Sequence, residues 1–190
     1  MISVFEYVTI LISIILGLGI TKLLGGFATM VVRINQCTIY WPHVIFIVLA
    51  FLIHIQDWFV TYELRKISTW NLPLFLFVVL YPVTLYLLSY MLFPVKYGNS
   101  TFNYKDFFLG NYVRIYSLLI ILALLSVLQN VFLFHYTWMN QLIQLFIVVS
   151  LLLVLLFKLN KSIVHQSIAV VLMLFFIASL LVEWNTLIIE

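Results

Sequence analysis

The chain has 190 residues, of which 66% are hydrophobic and 8% charged. A soluble domain carries about 25% charged residues, and one of this length has too little interior to hide so much apolar surface from water. The formal net charge of +3 is not read as a nucleic-acid signature, because the few basic residues fall in short links between apolar runs and so report membrane topology.

A spanning helix needs about 20 mostly apolar residues, and six segments meet or approach that length. The first, 4–24, is expected to stop at Gly25-Gly26. The second, 41–62, opens with Pro42 in its first turn, where a missing N–H costs nothing. The third, 72–93, has Pro73 at its start, Pro94 beyond its end and Pro82 in mid-span, where a kink is expected. The fourth is 112–134, the fifth and shortest 140–157, and the sixth 163–184. The longest link, 94–111, mixes aromatic and polar residues and reads as a segment lying at headgroup level. No second domain is evident, so 1–190 is taken as one all-α transmembrane bundle. Cys37 is the single cysteine and can form no internal disulfide. No secretory leader or lipidation motif is expected.

Orientation follows from counting basic residues by side. Lys22, Arg33, Lys96, Lys105, Arg114, Lys158 and Lys161 belong to the links after spans one, three and five; only Arg65 and Lys66 fall on the other side. That bias places both termini outside. The acids mirror it: Glu6, Asp57, Glu63, Glu183 and Glu190 lie toward the outer side, and Asp106 toward the inner one. Trp58, Trp70, Trp138 and Trp184 sit at outer helix ends, as an aromatic belt does. Spans one and four open on similar strings, Glu6-Tyr7-Val8-Thr9-Ile10 and Asn111-Tyr112-Val113-Arg114-Ile115, which is the look of an inverted three-plus-three repeat.

Polar side chains are costly in hydrocarbon, so their angular placement is informative. On span one Ser13, Gly17, Thr21 and Gly25 form a stripe of small residues and read as a close helix–helix contact. On span two His43, Ala50, His54, Asp57 and Thr61 fall within about 60° of one another. His54 and Asp57 are i,i+3 neighbours, which leaves two readings: a titratable pair lining a wet cavity, or a structural pair locking span two to a neighbour. On span six, His165, Ser179 and Glu183 share a face. Gln129, Asn130, Asn140, Gln141 and Gln144 form an outer polar group on spans four and five, read as interhelical hydrogen bonds. Should the stripes of spans one, two and six converge, Glu6, His54, Asp57 and Glu183 would form an outward-facing acidic pocket suited to a proton or cation. Lys22, His43, Arg114, Lys158 and His165 would form a basic inner mouth, or simply report insertion and contact with anionic lipid.

Four histidines at two depths invite a haem reading, but His43 and His135 sit at or beyond span ends, where a haem is poorly buried. No hydrolase, phosphate-loop or zinc pattern is present, so no metal, cofactor or enzymatic activity is expected.

Two stretches, Ile12 through Gly26 and Tyr40-Trp41-Pro42-His43-Val44 through Ile53-His54-Ile55-Gln56-Asp57-Trp58-Phe59, resemble a group of small bacterial polytopic inner-membrane proteins with no assigned activity. The resemblance covers the first third of the chain and implies a bacterial plasma membrane. Asp57 stands where that group leads one to expect an apolar or aromatic residue.

Three functions are carried forward. The first is an oligomeric proton or cation channel or transporter acting through Glu6, His54, Asp57 and Glu183. The second is a non-transporting membrane scaffold or sensor subunit for a partner protein bound at the cytoplasmic loops, in a stress or phage-defence system. The third is a haem-binding or lipid-modifying enzyme. The expected partners are the bilayer and further copies of the chain, with no nucleic acid.

Overall fold

The structure is a computed structural model that describes residues 3–97 and 101–183. It is an all-α bundle of six helices, each long and apolar enough to cross a membrane: α1 (Val4–Val32), α2 (Trp41–Thr61), α3 (Leu72–Met91), α4 (Tyr104–Phe132), α5 (Leu142–Leu156) and α6 (Ser162–Glu183). Large apolar side chains such as Ile14, Leu18, Leu76, Leu80, Leu153, Leu174 and Leu181 are exposed on the outside of the bundle. A belt of that kind fits lipid and not water. The chain is therefore a multi-pass membrane protein. With six crossings, the start of α1 and the end of α6 share one face, called here the terminal face; the opposite one is the basic face.

The elements start where local chemistry lets them. Ser3 and Glu6 form a reciprocal capping box: the Ser3 side chain accepts from the Glu6 N–H, and the Glu6 carboxylate accepts from the Ser3 N–H at 2.7 Å. Asn71 caps α3 by accepting from Leu74 N–H at 2.9 Å. A turn of 3-10 helix, Tyr62–Lys66, extends α2, and another, Trp138–Gln141, leads into α5. Trp58 and Trp138 are exposed at terminal-face ends, whereas Trp184 lies outside the described residues.

Two helices are longer than their hydrophobic runs suggest. α1 continues through Gly25-Gly26 to Val32. In a membrane a helix is the one local structure that pairs its own backbone, so two glycines do not end it. Gly26 has a packing role as well: a Cβ built there falls 2.5 Å from the Phe93 ring. α4 begins at Tyr104 and not near residue 112. Asn103 caps it, accepting from Lys105 N–H at 2.9 Å and donating to Asp106 at 2.8 Å, and Asp106 favours the positive end of the helix dipole. The segment expected at headgroup level is thus partly the first two turns of α4, with Phe108 fully buried. Just before it, β2 (Phe102–Asn103) pairs in parallel with β1 (Cys37–Thr38), joining the α1–α2 and α3–α4 links at the basic face.

α2 is the hub of the bundle. It touches α1, α3, α4 and α6, while α1 lies on α3, α3 on α4, and α4 on α5. One hydrophobic cluster takes residues from all six helices, among them Ile12, Phe46, Leu85, Tyr116, Leu151 and Ala169. The close approach of α1 to α2 rests on Gly19, where an added Cβ falls 2.2 Å from the His54 ring. That ring cannot step aside cheaply, because its Nδ1 is bonded to the Ala50 carbonyl at 2.7 Å.

Gly19→Ala and Gly26→Ala should each destabilise the monomer in detergent by about 1–3 kcal/mol, the usual overpacking range. Gly17→Ala and Gly25→Ala meet no atom within 4 Å and should be neutral or stabilising by up to about 1 kcal/mol. Denaturant titration followed by circular dichroism reads the difference; equal loss at all four positions would refute this packing.

Candidate functional site in the terminal half of the bundle

The site begins with a proline. Pro82, buried in α3, has no N–H to give the Val78 carbonyl one turn back. An unpaired carbonyl inside a bilayer costs several kcal/mol. Gln129 of α4 meets the need: its Nε2 donates to the Phe77 carbonyl at 3.1 Å and lies 3.4 Å from that of Val78. Both acceptors are carbonyls, so the orientation of this amide is fixed by chemistry, with its nitrogen toward α3.

Two further amides tie the neighbouring elements. Asn130 donates to the buried Gln141 Oε1 at 2.9 Å, and Gln144 of α5 donates to Ser126 of α4 at 3.2 Å. These are the interhelical bonds that the polar group on spans four and five led us to expect.

Together these side chains border a cleft of about 200 Å³ between α2, α4, α5 and α6. Gln56, Asp57, Ser126, Gln129, Asn130, Gln144 and Ser179 supply its polar wall. Leu49, Leu119, Leu122, Leu151, Leu172 and Phe176 supply its apolar one. The lining runs from Val60 and Phe134, near the terminal face, down to Leu49 and Leu151 in mid-bundle. A second, small void of about 20 Å³ touches Asp57, Thr61, Pro82 and Gln129, the scale of a single water. Asp57 thus stands between two spaces. Its side chain is half-buried, and its Oδ2 is fully buried with no hydrogen-bond partner; the Oε1 of Gln144, across the cleft, is in the same condition.

The other candidate residues do not gather there. His54 is fully buried on the side of α2 that meets α1 and α3, where its Nε2 lies 3.4 Å from the Ser89 hydroxyl. It makes no bond to Asp57, although the two are three residues apart. Glu6 is exposed and engaged in the α1 cap. Glu183 closes α6, and its side chain lies outside the described residues. The stripes of spans one and two diverge: Ser13, Gly17, Thr21 and Gly25 are all exposed, and α1 packs inward through Ile12, Leu16, Gly19 and Leu23 instead. The Thr21 hydroxyl is satisfied by the Gly17 carbonyl at 2.7 Å.

On the basic face, the five residues of the expected mouth separate into rim and interior. Lys22 lies 4.5 Å over the Tyr90 ring, Arg114 bonds to Asn111 at 3.1 Å, and Lys158 ends α5 in the left-handed region at φ 49°. His43 and His165 are fully buried. His43 sits among Phe93, Tyr104, Phe107 and Phe108 with ring centroids 5.2–6.4 Å away. Neither of its nitrogens has a hydrogen-bond partner, the Leu92 carbonyl lying nearby without the required geometry. His165 shares a 2.8 Å hydrogen bond with the Tyr116 hydroxyl and packs on Phe108 and Tyr112. Phe46, Phe108 and Tyr116 fill the middle of this layer. Sequence reasoning missed the layer because aromatic residues at helical spacing look the same facing lipid or core. It also missed Gln129 as the partner of Pro82, for which a depth count on two antiparallel spans was the available signal.

No family model, curated protein or solved structure matches the chain. Among the described residues, no three His, Cys, Asp or Glu side chains gather as a metal site.

Gln129→Leu should cost about 1 kcal/mol, the scale of a hydrogen bond between membrane helices. Pro82→Ala restores an N–H to Val78 and should remove most of that cost when the two changes are combined. Thermal unfolding of both single variants and the double variant measures the coupling; strict additivity would show that Gln129 does not serve the proline gap.

Proposed function

We propose that this multi-pass membrane protein binds a small cation, in the simplest case a proton, at Asp57 as the first step of moving it across the bilayer. One observation carries the reading: a carboxylate oxygen within a membrane helix is buried without a partner and faces a cleft. A carboxylate there needs a proton, a cation or water, and the cleft gives each of them room. The cleft occupies the terminal half of the bundle, and the aromatic layer around Phe46, Phe108 and Tyr116 occupies the basic half. That asymmetry supports a carrier resting open to one side in preference to an open channel. We place the protein in a bacterial plasma membrane with both termini outside, on the basic-residue bias and the resemblance of spans one and two.

The exposed face of α1 supports assembly with further copies. Ser13, Gly17, Thr21 and Gly25 leave open space where another helix can approach closely. The same face favours the second reading, a scaffold or sensor subunit, in which the other helix belongs to a different membrane protein.

Proton and potassium flux into proteoliposomes tests the first reading. The native chain should exceed empty liposomes, and Asp57→Asn should fall to the empty level with its helicity intact. Glu6→Gln should keep the native flux, because Glu6 is spent on the α1 cap. Absence of native flux at both mildly acidic and mildly basic pH would shift the weight to the scaffold reading.

A further inference from the structure

The chemistry of the cleft says more about its occupant than its charge alone. Three of the four amides on its wall direct an N–H toward protein: Gln129 to the α3 carbonyls, Asn130 to Gln141, and Gln144 to Ser126. Two buried acceptors on that wall are left without a donor, Oδ2 of Asp57 and Oε1 of Gln144. A carboxylate oxygen and an amide oxygen that both lack a donor suit a ligand that brings N–H donors and a positive charge.

A bare metal ion is a poor match. Hard divalent cations such as calcium and magnesium take about six or more oxygen ligands, and much of this cleft is formed by Leu49, Leu119, Leu122, Leu172 and Phe176. Those side chains offer an ion nothing, but they suit a hydrocarbon tail. Size agrees as well. An apolar cavity of about 150 Å³ takes a benzene molecule, and this cleft of about 200 Å³ adds room for a short chain and an ammonium group.

We infer that the cleft binds an amphipathic organic amine. Its ammonium donates to Asp57 and the Gln144 carbonyl, and its alkyl or aryl body lies against the α4–α6 wall. The inference rests on the reading of Asp57 as a cation site and specifies the cation. Ala123, half-buried in the apolar wall, is the position at which the body can be blocked without touching the polar groups.

The test is equilibrium binding of labelled 2-phenylethylamine to the full chain in phosphatidylcholine nanodiscs, with empty nanodiscs subtracted. Its neutral counterpart 2-phenylethanol is run alongside, and proton and potassium flux is measured on the same variants. Saturable amine binding is expected, weakened about tenfold or more by Asp57→Asn and by Ala123→Phe, with the alcohol binding far more weakly than the amine. Unfolding curves matching the native chain show that each variant is intact; if Ala123→Phe does not fold, Ala123→Leu takes its place. Flux that depends on Asp57 but persists in Ala123→Phe, with no saturable amine binding, overturns the amine and leaves the cation site standing. Amine binding that Asp57→Asn does not change overturns both. Equal binding of amine and alcohol overturns the role given to the ammonium.

Discussion

A polar group inside a bilayer has no water to turn to, so it must find its partner within the protein. Pro82 makes this constraint acute, because it strips the Val78 carbonyl of its helical donor in the middle of α3. The response is a glutamine reaching from α4, and it fixes more than one bond. Gln129 draws α3 and α4 together at that depth and commits its own nitrogen. Asn130 and Gln144 spend N–H groups on Gln141 and Ser126 in the same way, which ties α5 and its leading turn to α4. The remaining oxygens of these amides, with Asp57, give the cleft its chemical character. An element that looks like a defect in one helix thus organises a polar wall shared by several.

The two halves of the bundle solve the same constraint by opposite means. Near the basic face, two histidines are surrounded by aromatic rings that pack closely and leave little space. Near the terminal face, amides and a carboxylate are spaced around a cleft. α2 links the halves, since His43 stands at one end of it and Asp57 near the other, with Phe46 and Leu49 between. A cation entering at Asp57 would meet the rings of Phe46, Phe108 and Tyr116 before it could reach the basic face. Under the proposed reading, passage would require those rings to move.

Six spans were legible from run length alone, because crossing a bilayer demands it. The helix bounds were less so: hydropathy stops at Gly25-Gly26, but the backbone goes on pairing through them, and α4 starts on the polar cap Asn103 that a hydropathy reading passes over. Asp57 stood out because a carboxylate inside a span is rare on energetic grounds. Its surroundings did not. Helical angle placed His54 beside it, yet the bundle turns His54 toward Gly19 and Ser89 and leaves Asp57 facing α4, α5 and α6. Which neighbour a helix face meets is set by tertiary packing, and no periodicity within a single span contains it. For the same reason the small stripe of α1 reads in the sequence as a helix–helix contact, while its residues are exposed in this chain.

The proposed reading of Asp57 as a cation site requires that water and small cations reach it through the cleft from the terminal face. Single cysteines at Ser126 and Ser179, in a background where Cys37 is replaced by serine, test it most directly with a membrane-impermeant cationic thiosulfonate, which reacts with the thiolate that forms in water. The account predicts that both positions are modified from the terminal face, and that a cysteine at Ser13, on the exposed side of α1, is not. Protection of Ser126 and Ser179 to the level of Ser13 would mean that the cleft is dry and closed, and the account of Asp57 as an entry site would not survive it.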